Sequence, residues 1–116
     1  MNDLNLKNFI NSVVEHILVN EAEEYLEQLD YIFIGDVNIS RVGFYANFRH
    51  PDEYRAKIIE NLTLGSSIHA EVLGLKYGVD FMLYVDGGII TMLEGFTVDG
   101  DNYWPSEIVD FKLTLT

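Results

Sequence analysis

The sequence predicts an α+β domain, with N-terminal helices packed on an antiparallel sheet of about four to five strands. Three observations lead there. Apolar residues in the first third recur with a helical period. Those in the remainder alternate as in half-buried strands. Asp86-Gly87-Gly88 separates two apolar runs, and such turn residues tolerate the positive φ of a hairpin. Helices and strands in separate runs, rather than βαβ alternation, indicate α+β. With no Pro/Gly/Ser-rich linker and no repeat, residues 1–116 read as one domain.

Leu6, Phe9, Ile10, Val13, Val14, Ile17 and Leu18 follow the i, i+3, i+4, i+7 spacing of a single apolar helix face. Asn20 with Glu23 resembles a capping box, which would start a second helix through Ala22, Leu26 and Leu29. A single kinked helix fits the same residues. Arg41 to Arg49 is aromatic and nearly alternating, hence a strand. Between His50 and Leu62, Pro51 followed by Asp52 and Glu53 suits a helix start, with Ile58, Ile59 and Leu62 on the buried side. Ile68 to Leu75, Val79 to Val85 and Ile89 to Val98 read as strands, as does the alternating Phe111, Leu113 and Leu115.

The hairpin has two possible registers. A two-residue Asp86-Gly87 loop pairs Val85 with Gly88 and sets Phe81 opposite Met92. A three-residue loop pairs Val85 with Ile89 and sets Phe81 opposite Leu93. One residue of slip exchanges the faces of the second strand. Both faces carry apolar side chains either way, which predicts helices on one side of the sheet and partial cover on the other.

The chain has 19 acidic and 7 basic residues, a net charge of -12 and no cysteine. A hydrophobic content of 48% supports a packed core rather than an acidic disordered chain. The charge disfavours nucleic acid and anionic membrane as direct partners and permits a basic protein. Absent cysteines exclude disulfides, thiolate zinc sites and a thiol nucleophile, and fit a reducing compartment. No apolar run has the length of a membrane span, and the start MNDLNLKNF does not resemble a secretory signal. The charge is segregated. Residues 8–40 and 77–111 each hold seven acids and no Lys or Arg, while 41–57 holds four of the seven bases.

His16, His50 and His69 have no His partner at i+3 or i+4, so no metal or other cofactor is expected. Asp99-Gly100-Asp101-Asn102 begins like a calcium loop. It then fails, with Tyr103 at the fifth position, Trp104 at the turn glycine and no Glu at the twelfth. Phosphate-loop and nucleophile-elbow motifs are absent. Glu94, in the apolar run Met92-Leu93-Glu94-Gly95-Phe96, is the best acid/base candidate; an outward Glu beside a Gly that allows a bulge is the plainer reading. Glu21, Glu23, Glu24 and Glu27 repel one another at spacings of three and four and form one candidate acidic face; a solvated helix start explains them equally well. The loop from Val98 to Ser106 combines Asp99 and Asp101 with Tyr103 and the single Trp104, residue types that supply contact area and charge at interfaces. Trp104-Pro105 could instead anchor the loop on the sheet.

The stretch Gly78 to Pro105, GVDFMLYVDGGIITMLEGFTVDGDNYWP, joins a strand, a DGG turn, a strand carrying LEGFT and an acidic loop ending in WP. It resembles small immunity proteins of bacterial polymorphic-toxin and contact-dependent growth inhibition systems. The resemblance covers about a quarter of the chain. It implies a cytoplasmic, non-enzymatic protein that occludes the active site of one cognate toxin domain, typically a basic nuclease (an RNase or DNase). The acidic composition agrees, since carboxylates can stand in for phosphates at a basic site. The expected contacts are Asp99, Asp101, Tyr103 and Trp104, with Glu94 and Glu107 beside them and Glu21, Glu23, Glu24 and Glu27 as a second face. The alternative is a small enzyme or ligand-binding domain with a pocket between helices and sheet, for which clustering of Glu94, His69 and Asp80 would speak.

Overall fold

A computed structural model describes residues 3–98 and 101–116 of the chain. Helix α1, Asp3–Glu21, forms where the apolar period predicts it. All seven residues of its predicted stripe are buried. The second helix differs from expectation. Glu23–Asp30 is a 3₁₀ segment, and its N-cap is Ala22, with no side-chain cap. Asn20 does not form the capping box; its amide donates back to the His16 carbonyl at 2.8 Å. With 3.0 residues per turn, side chains three apart line up. Tyr25 and Gln28 therefore point the same way and are both buried.

Seven strands follow: β1 Phe33–Ser40, β2 Gly43–Arg49, β3 Leu62–Leu64, β4 Ile68–Val72, β5 Val79–Asp86, β6 Ile89–Thr97 and β7 Phe111–Leu115. They form one sheet in the order β1-β2-β6-β5-β4-β7, with β3 also paired to β5. Every pairing is antiparallel. β3 and β4 lie end to end along one edge of β5, against Leu83–Val85 and Val79–Asp80 respectively. The sheet is thus larger than four or five strands. Two strands are unforeseen: the three-residue β3, which takes Leu62 from the expected helix, and β1, whose alternation breaks at a register shift between Ile34 and Val37.

The segment after His50 is not helical. Its backbone wraps the tip of the β5–β6 hairpin, where the Gly88 N–H donates to the Glu60 carbonyl at 2.7 Å and the Gly87 N–H to Asn61 Oδ1 at 2.8 Å. Ile58 and Ile59, expected on a buried helix face, are exposed. Tyr25 fastens the same loop, donating to Glu60 at 2.6 Å. Burial first, then that bond and the Glu60 charge, push its hydroxyl pKa up to about 12.

The hairpin takes neither expected register. Asp86 pairs with Ile89 across a Gly87-Gly88 loop, both glycines having positive φ. Val85 pairs with Ile90 but Tyr84 with Met92, so Thr91 is an extra residue and Phe81 sits opposite Gly95. The bulge restores Ile90 and Leu93 to the same buried side.

α1 and the 3₁₀ segment cover one face of the sheet. Phe9 is the centre of that core, with ring centroids 4.8 Å from Phe111, 6.0 Å from Phe81 and 6.3 Å from Phe44. The molecule measures 40 × 29 × 18 Å, thin enough for only these two layers. On the second face, which neither helix covers, no side chain among the described residues is fully buried and most are half-buried.

Candidate functional site

The uncovered face is organised by strand register. Side chains alternate along each strand, so residues paired across strands share a face. One row runs Asn38, Tyr45, Glu94, Met82 across β1, β2, β6 and β5. The row on one side runs Asn47, Met92, Tyr84, Thr63. The row on the other runs Phe96, Asp80, His69, Thr114. Glu94 is therefore central. Tyr45 and Met82 flank it across the strands, Met92 and Phe96 along its own strand, and Tyr84 and Asp80 on the diagonals.

Two tyrosines approach the Glu94 carboxylate. The Tyr84 hydroxyl donates to Oε1 at 3.1 Å. Burial, then this bond, then the carboxylate charge raise the Tyr84 pKa. The Tyr45 hydroxyl is turned to the same group, and the Glu94 charge is the main cause of its raised pKa. Gly95 follows because the strand's other face packs on Phe44: a Cβ there would stand 2.3 Å from the Phe44 ring. The glycine marks a close approach, not the expected bulge.

Beside this group, His69 Nδ1 lies 2.7 Å from Asp80 Oδ1. His69 also lines a cleft of about 480 Å³ with Glu71, Lys76, Tyr77 and Lys112. Glu94, His69 and Asp80 thus share a face. Between helix and sheet there is a groove of about 460 Å³ lined by Lys7, Glu15, Leu29 and Phe33. Among the described residues no group of three or more His, Asp or Glu is placed to hold a metal ion.

The sequence-predicted loop divides by role. Trp104 is only 9% exposed; its ring meets Phe44 at 5.2 Å, and its backbone N–H donates to the Arg41 carbonyl at 2.6 Å. It is an anchor. Asp101 is engaged within the chain. Its Oδ1 accepts from the Lys76 and Asn102 N–H groups at 2.6 and 2.7 Å, its Oδ2 from Tyr77 and Gly78 at 2.7 and 2.9 Å. Tyr103 is exposed under the Arg41 guanidinium, 5.6 Å from the ring centre, and Glu107 is exposed. Asp99 lies outside the described residues.

The helical acids divide in the same way. Glu21 holds the break between β3 and β4, accepting from Gly65 N–H at 3.0 Å and Ser67 N–H at 3.2 Å. Glu27 pairs with Lys57 at 2.6 Å. Glu23 and Glu24 stay exposed. The residues that sequence reasoning missed are Tyr45 and Tyr84; only the correct register brings them to Glu94.

Partial burial pushes the Asp101 carboxyl up, but its four backbone donors outweigh this and its pKa falls below the ordinary value. A lowered folded-state pKa contributes stability above the unfolded value of about 3.9, lost as pH falls through the folded value. Asp101→Ala is expected to lower the thermal midpoint at neutral pH, with the gap to wild type closing below about pH 4. Melting curves across pH check this, and a gap that widens toward acid would contradict it.

Comparison with known protein families, curated proteins and solved structures finds no match to this chain. No helix among the described residues is long and apolar enough to cross a membrane.

Proposed function

We propose that this protein is an immunity protein that binds and neutralises a basic toxin domain, such as a nuclease, by covering its active site with an acidic surface. The observation that carries this reading is where the carboxylates are left unpaired by cations. Arg49 meets Asp36 at 3.6 Å and Lys57 meets Glu27 at 2.6 Å, so bases of the middle segment relieve the first acidic stretch. Among the described residues, no Lys or Arg forms an ion pair with the second stretch; Glu94 faces outward from the middle of the sheet, and Asp80 beside it meets only His69, at 2.7 Å. An acidic face with exposed tyrosine suits a basic partner in charge and in contact chemistry. Complementary charge speeds such capture to about 10⁸–10⁹ M⁻¹s⁻¹ at low salt. A cytoplasmic site of action and a non-enzymatic role go with this reading.

The test is protection. Cells expressing the variable C-terminal domain of a secreted protein encoded beside this chain should resume growth when the chain is co-expressed. Unrelieved growth arrest would refute the proposal. A second reading, a small catalytic or ligand-binding domain, has the His69–Asp80 pair beside its cleft in its favour. A His held at Nδ1 by a carboxylate is suited to proton transfer at Nε2. Under that reading His69→Ala abolishes activity; under the immunity reading it leaves protection nearly intact.

A further inference from the structure

We propose that Glu94 is the anchor for an arginine side chain of the basic partner. This deepens the immunity reading and rests on it. Four features of the uncovered face point to a guanidinium.

The first is the ring around the carboxylate. Tyr45, Met82, Tyr84, Met92 and Phe96 surround Glu94 by strand register. All five are exposed or half-buried. A central polar contact inside an apolar rim that excludes water is the anatomy of an interface hot spot. The second is acceptor capacity. A carboxylate has about four acceptor positions. Tyr84 fills one, and Tyr45 is paired with Glu94 across the strands, which leaves room for the two parallel N–H donors of an arginine. The third is preorganisation. The Tyr84 bond holds the carboxylate before a partner arrives, so less side-chain entropy is lost on binding. The fourth is the neighbouring charge. Asp80 lies on the diagonal with its Oδ1 2.7 Å from His69 Nδ1, and the Lys and Arg of this face stand at its margins, Arg49 beside Asp36 and Lys112 opposite Glu71.

Arginine fits better than lysine for two reasons. Its planar fork matches a carboxylate edge, and its weakly hydrated face stacks on tyrosine. A lysine ammonium gains only the point-charge attraction.

The experiment uses octa-arginine and octa-lysine peptides as probes, in about 0.15 M salt, followed by amide chemical shifts of the full chain. It needs no toxin, so the anchor can fail while the immunity reading survives. Octa-arginine is expected to shift the amides of Tyr45, Tyr84, Glu94 and Gly95 and to bind at least about fivefold tighter than octa-lysine. Glu94→Gln keeps the shape and should weaken octa-arginine binding about fivefold or more. Glu23→Gln with Glu24→Gln, which removes more charge elsewhere, should weaken it less than about twofold. Shifts centred on residues 23–27, equal binding of the two peptides, or a Glu94→Gln loss no greater than that of the control would each overturn the assignment.

Discussion

Phe9→Ala is expected to destabilise the protein by about 3–5 kcal/mol. Phe9 has no solvent exposure and joins α1 to three parts of the sheet through Phe44, Phe81 and Phe111. Removing its ring takes away the transfer energy of the side chain and leaves a cavity. The surroundings cannot easily collapse into it, because they are the backbones of a paired sheet on one side and a helix on the other. Domains of this kind have about 5–15 kcal/mol in total, so much of the margin would disappear. Urea unfolding with an unchanged m-value checks the figure. A loss below about 1 kcal/mol would show that α1 is not the principal cover of the sheet.

Gln28→Met is the second large effect. Gln28 is 3% exposed and bridges the hairpin tip. Its Nε2 donates to the Gly88 carbonyl at 2.7 Å, and its Oε1 accepts from the Ile90 N–H at 3.0 Å. Met fills nearly the same space but leaves both backbone groups unpaired in a dry setting. Each costs about 1–3 kcal/mol. The effect is local as well as global: the Ile90 amide should exchange with solvent far sooner than its neighbours in β6. If Ile90 keeps its protection, the side chain is not what satisfies it.

These two residues also illustrate what the sequence disclosed. Phe9 belongs to a stripe whose 3.6-residue period is visible without coordinates, and all seven of its members are buried. Gln28 is invisible to the same reasoning, because polar residues are ordinarily exposed and the helix that carries it has a period of 3.0. The hairpin was legible in Asp86-Gly87-Gly88, but its register was not. The bulge at Thr91 leaves no mark in composition, and it decides which side chains share a face with Glu94. Tyr45 and Tyr84 are far apart in the chain, so no local pattern joins them to that carboxylate. β1 escaped notice because its alternation is interrupted after Ile34. The segment from 51 to 61 looked helical through Pro51, Ile58 and Ile59, but tertiary hydrogen bonds to the hairpin tip take its backbone.

The functional residues were legible in kind more than in place. The sequence showed acids concentrated in two stretches. Coordinates separate the acids held within the fold from those facing outward. Glu21 and Asp101 tie down loops through backbone N–H groups, and charge reversal at Asp101 would disturb the fold before it reported on a partner. Trp104 fills the end of the core. Glu94, Asp80, Glu107, Glu23 and Glu24 remain as outward-facing carboxylates, two of them on a sheet face that, among the described residues, neither helix covers. The proposed surface therefore moves from the loop at Trp104 toward the middle of the sheet.

The proposed immunity role requires tight, charge-driven binding of a basic domain. It is measured by titrating the purified chain with the C-terminal domain of a secreted protein encoded beside it, the proposed toxin, from low to high salt. A dissociation constant in the nanomolar range or below is expected, about 12 kcal/mol of binding free energy, with association slowing steeply as salt rises. Binding no tighter than micromolar, or association that is indifferent to salt, would contradict it.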